Sequence, residues 1–370
     1  MPYNDIKHVL PHFMFQGKYV NSVELGGGNI NTTYLLTYRD EKQEYLYTLQ
    51  HINTYVFKNP RKVVSNIAAV THHLRSSMLR HDEDPTRRVL ELVRTKDGQY
   101  MYEEDEDDVW RAYSYIANAA ALDVVETVAQ MEEVGRGFGA FQRNLYDFDA
   151  ANLFVPIPDF HNTTKRFYAF VRAVDLNKGG RLHKVHDEVE FMFEHRKMMG
   201  EIVKLLDAGV LPLRVTHNDT KSNNVLLDEH TGKALCVIDL DTVMPGSSLY
   251  DYGDAIRFGA STAVEDEPDT SKIALDMAKA TAFTRGFVDE TNGFLTQEEL
   301  SRLPLGVEVL TCELAMRFLT DYIDGDLYFK VDGPEHNLTR ARAQIALLTD
   351  IERKEKELYE MTSDLIGKKG

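Results

Sequence analysis

Cysteine is nearly absent: Cys236 and Cys312 are the only two in 370 residues. They are far apart and neither belongs to a Cys-x-x-Cys pair. This excludes a disulfide framework or a cysteine metal centre and leaves two reduced core thiols as the expectation. No apolar run approaches the roughly eighteen residues a membrane-spanning helix needs. The opening residues, Met1-Pro2-Tyr3-Asn4-Asp5, show neither the basic flank nor the apolar stretch of a leader peptide. A cytoplasmic protein with no membrane partner is expected. Positive charge is also scarce, with 42 Lys and Arg against 59 Asp and Glu and a formal net charge of −17. Nucleic acids and anionic membranes are bound by basic side chains that neutralise phosphates, so the deficit argues against both and points to small molecules. Part of the acidity is local, in Glu103-Glu104-Asp105-Glu106-Asp107-Asp108, a run that reads as solvated loop.

An apolar content of 43% and a charged content of 27% are ordinary for a soluble globular protein, and 370 residues suit two modest domains. Strand patterns come first. Val23-Glu24-Leu25 leads into Gly26-Gly27-Gly28, and the runs Thr32 to Tyr38 and Tyr45 to Gln50 flank the polar turn Arg39-Asp40-Glu41-Lys42, which predicts a small antiparallel sheet. After the breaker Asn59-Pro60, Val63, Val64, Ile67, Val70 and Leu74 follow a helical period. Arg88 to Val93 and Val109 to Ile116 read as two further strands on either side of the acidic turn. Beyond Asn118 the pattern changes to long helical stretches, interrupted at 213 to 241. The expected division is therefore 1–116 and 117–370, an α+β chain with a small sheet-plus-helix unit and a mainly helical one. No repeat or low-complexity segment competes with this division.

The interruption carries the chemistry. Val215-Thr216-His217-Asn218-Asp219-Thr220-Lys221-Ser222-Asn223-Asn224 places an acid two positions after a histidine and an amide five positions after that acid. Val237-Ile238-Asp239-Leu240-Asp241 follows across the turn Asp228-Glu229-His230-Thr231-Gly232, so a hairpin brings a second acid to the first. Phosphoryl transfer needs a proton acceptor for the nucleophile, a divalent metal on the phosphates and fixed in-line geometry. Asp219 suits the base. Asn224 and Asp239 suit Mg²⁺, which prefers hard oxygen ligands and takes only one or two from side chains. His217 reads as a buried residue that shapes the loop, and Asp251 and Asp254 as caps or loop anchors. Asp241 has two readings, a second metal or substrate contact or a structural acceptor.

Gly26-Gly27-Gly28-Asn29-Ile30-Asn31 fits a hairpin turn over nucleotide phosphates, where absent Cβ atoms let backbone N–H groups approach. It lacks the Gly-Lys-Ser/Thr ending of a P-loop and does not open a helix, so neither that motif nor a dinucleotide fold is supported.

On these residues the chain resembles the aminoglycoside phosphotransferase and choline kinase superfamily, whose fold is protein-kinase-like, with a small antiparallel-sheet N-lobe and a mainly helical C-lobe. The runs Pro212 to Lys221, Ile238 to Gly246 and Asp254 to Thr262 are similar to the N-acetylhexosamine 1-kinases. So are Gly28 to Tyr34, Met316 to Tyr322 and Pro334 to Leu338, so that the resemblance spans nearly the whole chain. It implies transfer from ATP, with Mg²⁺, to the anomeric hydroxyl of N-acetylglucosamine or N-acetylgalactosamine. Asp219 would then be the base at the sugar O1, with Asn224 and Asp239 holding the metal. Gly26, Gly27, Gly28, Asn31, Thr32 and Gln50 would face the nucleotide phosphates, and Tyr113, Tyr115 and Ile116 would form the interlobe hinge that receives adenine. Thr242, Arg317 and Tyr328 would line the sugar pocket beside Asp219, though Arg317 also reads as an ion-pair partner and Tyr328 as a packing aromatic.

The chain departs from the superfamily in two places. Most relatives carry a Lys or Arg on the third strand and an acid on the next helix, whereas Gln50 and Ala68 or Ala69 stand here. The sugar 1-kinases share that absence, and its expected consequence is that Mg²⁺ and backbone N–H groups neutralise more of the triphosphate. Asn29 replaces an expected histidine in the glycine turn. Two other functions fit the same chain: a kinase of aminoglycosides, choline or another amine-bearing alcohol, and an inactive nucleotide-binding pseudokinase, which the missing lysine motivates.

Overall fold

Alternating apolar residues give the first strands one buried face. The structure is a computed structural model and describes residues 6–26 and 30–368, so Gly27, Gly28 and Asn29 lie outside the described residues. Strands β1 (Lys18–Leu25), β2 (Thr32–Arg39) and β3 (Glu44–His51) pair antiparallel in sequence order, and β4 (Tyr102–Glu103) and β5 (Val109–Ser114) complete a five-stranded sheet ordered β1-β2-β3-β5-β4. Tyr34, Leu36, Leu49, Trp110 and Ala112 fill one face together with Val9 and Phe13. Period-two geometry turns Gln50, Arg111 and Tyr113 to the other face, and Gln50 stands directly across from Arg111 in the β3–β5 register.

Helix α1 (Pro60–Arg80) begins where the breaker predicts. The Asn59 side chain accepts the N–H of Lys62 at 3.1 Å, and proline occupies the first turn, where its missing N–H costs nothing. Its buried stripe, Val63, Val64, Ile67, Val70 and Leu74, shares one core with Val109 and Tyr113 of the sheet and with Phe141, Val215 and Leu240 of the second lobe. Asn66 on the same helix is buried. Its Nδ2 donates to the carbonyls of Phe154 and Val243, each at 2.9 Å, and its Oδ1 accepts the Phe154 N–H at 2.9 Å.

Residues 88–93 are not the strand that their composition predicts. The segment lies beside β5 but forms only an isolated bridge, Leu92 with Tyr113, flanked by single bonds from Val93 N–H to Ala112 and from Ser114 N–H to Glu91. It cannot extend, because the turn at 95–98, closed by Gly98 N–H to Thr95, takes the chain away from β5.

The second lobe opens with β6 (Ala119–Ala121), a three-residue strand where only helix was expected; it pairs with β8 (Val225–Asp228), which pairs in turn with β9 (Ala234–Val237). Helix α2 (Val128–Asn144) starts from a Thr127/Gln130 capping box. Helices α3 (Thr163–Leu176), α4 (His186–Glu194), α5 (Arg196–Met199) and α6 (Glu201–Asp207) lie between α2 and strand β7 (Arg214–Thr216), which pairs with β10 (Met244–Gly246). Helix α7 (Ser248–Gly259) follows, then α8 (Met277–Thr291), α9 (Gln297–Leu300), α10 (Leu303–Asp324), α11 (His336–Arg353) and α12 (Glu355–Gly367). Glycines set the closest crossing of α7 and α10: a Cβ on Gly253 would stand 2.2 Å from the Gly306 carbonyl oxygen. No described helix is long and apolar enough to cross a membrane.

Candidate active site

The chain leaves β7 at Thr216 and enters the loop 217–224, whose backbone is held from below by α7. The N–H groups of His217 and Asn218 donate to the two carboxylate oxygens of Asp251 at 2.9 and 2.8 Å, and Thr220 N–H reaches Asp254 at 3.1 Å. Asn218 adopts φ 64°, a left-handed turn that asparagine tolerates better than most residues. The His217 ring is fully buried between Phe138 and Phe141. Its Nε2–H donates to the Ile238 carbonyl at 2.8 Å, and its Nδ1 accepts the Asp219 N–H at 3.3 Å. Both ring nitrogens are thereby committed to backbone, and Asp219 is the one carboxylate that the loop carries.

The Asp219 carboxylate is partly exposed. It meets Lys221 Nζ at 3.1 Å and Asn224 Nδ2 at 3.3 Å. Asn224 also donates to the Asp219 carbonyl at 2.8 Å, and its Oδ1 accepts no hydrogen bond among the described residues. Asp239 follows β9 with φ 58°, the left-handed turn that swings its carboxyl out of the strand direction and toward Asp219. Solvent reaches this carboxyl from the cleft mouth, but protein surrounds it on its other sides. That partial desolvation, reinforced by the Asp241 and Asp219 carboxylates and opposed by His217 and Arg111, pushes its pKa up to about 6. A site whose carboxylates repel one another and whose candidate ligands are hard oxygens fits Mg²⁺, which Asp239 and the Asn224 Oδ1 could hold.

Asp241 is 3% exposed and its two oxygens are both engaged: Oδ1 pairs with Arg111 and Oδ2 accepts Asn31 Nδ2 at 2.6 Å. Of its two sequence readings this geometry favours the structural acceptor. Arg111 is 1% exposed, donates from Nε and Nη2 to Gln50 Oε1 at 3.0 and 2.9 Å, and lies 5.4 Å from the centre of the Tyr113 ring. Burial opposes its charge, but the Asp241 carboxylate outweighs that and holds its pKa above the ordinary arginine value. The cleft roof is therefore not left without a cation by the glutamine at position 50, although this one is already paired with Asp241. Gln50 itself donates from Nε2 to Thr33 at 3.1 Å, next to Thr32 at the start of β2. Arg111 escaped the sequence reading because its signal is a strand register between residues 61 apart in the chain.

At the lobe junction, Tyr113 is buried inside β5 and the Tyr115 N–H is taken by the Leu46 carbonyl at 3.0 Å. The N–H and C=O of Ile116 have no hydrogen-bond partner among the described residues. Gly26 follows β1, and a Cβ there would meet nothing within 4 Å. Gly27 and Gly28 fall outside the described residues.

On the other side of the loop, the Thr242 hydroxyl donates to the His217 carbonyl at 2.6 Å, and its own carbonyl accepts Asn218 Nδ2 at 2.9 Å. Arg317 projects from α10 among the rings of Phe160, Phe329 and Tyr328, at 5.4, 5.5 and 6.0 Å; Tyr328 is 69% exposed. The buried Glu313 accepts His161 Nδ1 at 3.1 Å and lies 3.3 Å from Arg166 Nε and 3.8 Å from Arg317. Two guanidiniums thus share one carboxylate, and desolvation together with the neighbouring Arg317 charge lowers the Arg166 pKa. A cavity of about 390 Å³ is walled by Phe160 and His161 on this side and by Asn218, Met244 and Gly246 on the loop side. Arg166, His161 and Glu313 carried no motif and were not foreseen.

Three solved structures share the architecture. An aminoglycoside phosphotransferase from Alicyclobacillus acidocaldarius aligns with a TM-score of 0.57 at 12% identity, over 99% of this chain and 97% of its own. Choline kinase from Cryptosporidium parvum aligns at 0.56 and 11%, over 92% and 90%. A spectinomycin phosphotransferase in complex with ADP and spectinomycin aligns at 0.52 and 12%, over 95% and 97%. At such identities the likeness establishes the fold, a two-lobed kinase-like arrangement with an antiparallel-sheet N-terminal lobe and a helical C-terminal lobe. The profile of the phosphotransferase enzyme family matches residues 22–286, a span that contains Gln50, Arg111, Asp219, Asn224 and Asp239. With most of its length matched and the loop geometry described above, the chain belongs to the phosphotransferase enzyme family.

Proposed function

We propose that the protein is a kinase using ATP and Mg²⁺ to phosphorylate the anomeric hydroxyl of N-acetylglucosamine or N-acetylgalactosamine, giving the sugar 1-phosphate. The single observation that carries this reading is the division of labour in the loop 217–224: both His217 ring nitrogens are bound to backbone, while Asp219 keeps a partly exposed carboxylate beside Asn224. Asp219 takes the proton of the sugar O1 as that oxygen bonds to the γ-phosphorus and the bond to the β–γ bridging oxygen breaks, releasing ADP. An anomeric hydroxyl is more acidic than an ordinary alcohol, so a carboxylate is a sufficient base. Lys221, 3.1 Å from Asp219, orients that carboxylate. Asp239 and Asn224 would hold Mg²⁺, which when bound would supply charge neutralisation at the phosphates. The unpartnered N–H and C=O of Ile116, between Tyr115 and the second lobe, suit the edge of adenine, and Gly26, Asn31, Thr32 and Gln50 border the place for the phosphates.

The choice of acceptor rests on the resemblance of Pro212 to Lys221 and Ile238 to Gly246 to the N-acetylhexosamine 1-kinases. Arg166 and Arg317 share Glu313 beside the cavity, whose own lining carries Asp159 and Asp207, so the charges there offset one another and do not select the acceptor. Thr242 retains hydroxyl lone pairs for a sugar donor, and the exposed Tyr328 offers a face for a pyranose ring. The competing reading is an amine-bearing alcohol, the acceptor class for which the fold neighbours are named and which the net charge of −17 favours. An acceptor panel of N-acetylhexosamines, free hexosamines, aminoglycosides and choline with MgATP, read by ³¹P NMR, decides between them. Sugar 1-phosphate from the acetylated sugars is expected; transfer only to the amines would overturn the acceptor, and binding of nucleotide without transfer to any acceptor would indicate a pseudokinase.

A further inference from the structure

The network around Arg111 joins the lobes at one carboxylate. Asn31 from the end of the glycine turn and Arg111 from β5 both reach Asp241, two residues beyond Asp239, and Gln50 spends its Oε1 on fixing the guanidinium. Burying an arginine is costly unless its charge has work to do or a partner to meet. Here the partner alone does not balance the site: Asp219, Asp239 and Asp241 face Arg111 and Lys221, an excess of one negative charge in the cleft where a polyphosphate is to be seated. Without Arg111 the excess would double, and the repulsion that an anionic ligand meets there would grow accordingly.

We propose that Arg111 is the fixed cation of the nucleotide site, supplied from β5 in place of a basic side chain at position 50. It is a positioning residue rather than a catalytic one. Through Asp241 it holds the Asp239–Asp241 turn under the sheet, and through its field it offsets the charge of the polyphosphate without touching it. Asp241 is accordingly the holder of Arg111 and not a metal ligand. This inference rests on the nucleotide-binding reading given above.

The test is calorimetric titration of the full chain with ADP, once with Mg²⁺ and once in EDTA. Arg111→Lys and Arg111→Gln separate charge from packing, since only the second changes the count of charges in the cleft. The charge-retaining variant should stay within about threefold of the parent, and the neutral one should raise the ADP Kd about tenfold or more under both conditions, with recovery toward the parent value when Gln50→Lys is added to it. Equal affinities of the two variants, or a loss that Gln50→Lys leaves uncorrected, would overturn the inference. If Arg111→Gln does not fold, the double variant Arg111→Met with Asp241→Asn, which leaves the excess at one negative charge, replaces it: it should bind ADP within about threefold of the parent, and a tenfold loss would mark the pair as purely structural and overturn the proposal. A parent protein that binds no ADP would overturn the nucleotide reading itself, a separate outcome.

Discussion

Asp251 holds Asn218 by its backbone: one oxygen of the buried carboxylate accepts the Asn218 N–H at 2.8 Å, and the other accepts the His217 N–H at 2.9 Å. Gln142 donates to the same carboxylate from α2 at 2.8 Å. The loop that presents Asp219 is therefore hung from α7, at His217 and Asn218 by Asp251 and at Thr220 by Asp254.

Replacing Asp251 by Ala leaves two buried backbone donors without acceptors. A loss of roughly 3 kcal/mol in unfolding free energy is expected, together with a fall in kcat of at least about a hundredfold because the loop no longer fixes Asp219. Denaturant unfolding and steady-state kinetics measure the two effects; a stable variant with parental kcat would show that the loop holds itself.

Asp219→Asn keeps the shape of the side chain and removes its basicity. Turnover should fall about a hundredfold to ten-thousandfold, while the ADP Kd stays within a few fold. Turnover within about threefold of the parent would remove Asp219 from the role of base.

Glu308 on α10 sets a pH dependence of stability. It is buried, and desolvation, helped by Glu355 and Glu352, raises its pKa from 4.5 to about 7. Between those two values the folded chain keeps a proton that the unfolded chain has released, so stability falls as pH rises through that window, and the loss is complete above about 7. Glu308→Gln mimics the protonated form. At pH ~8 it should be more stable than the parent by about 1–3 kcal/mol, and near pH ~4.5 equal to it. A variant no more stable than the parent at the higher pH would contradict the burial argument.

Gly253→Ala tests the crossing of α7 and α10. The new methyl would stand 2.2 Å from the Gly306 carbonyl oxygen, backbone against backbone, and the helices must separate to admit it. A cost of roughly 1–3 kcal/mol is expected, with a fall in kcat, since Asp251 and Asp254 ride on the displaced helix. Thermal unfolding reports the first effect and initial rates the second. An unchanged Tm would mean that the two helices are not tightly apposed.

What was legible in the sequence was what short-range chemistry encodes. The Asn59-Pro60 start of α1, the β2–β3 hairpin and the β8–β9 hairpin each depend on residues within a few positions of one another, and the spacing from His217 to Asp239 survives folding because that hairpin is local. Asp251 was read as an anchor without its partners, which lie 33 and 34 residues away. Arg111 and the Glu313 cluster were invisible for the same reason: their meaning arises from strand register and helix packing, which periodicity does not specify. Residues 88–93 had strand composition but only an isolated bridge to make, and β6 is too short to show any period.

Asn66 has a mechanical consequence. Because its amide clasps Val243 and both polar groups of Phe154, α1 is riveted to the second lobe on the flank where Leu240 and Val243 lie. The first lobe is thus fastened to the second at two separate places, by Asn66 of α1 at Phe154 and Val243 and by Asn31 at Asp241, so a hinge between the lobes would have to break one fastening or turn about both.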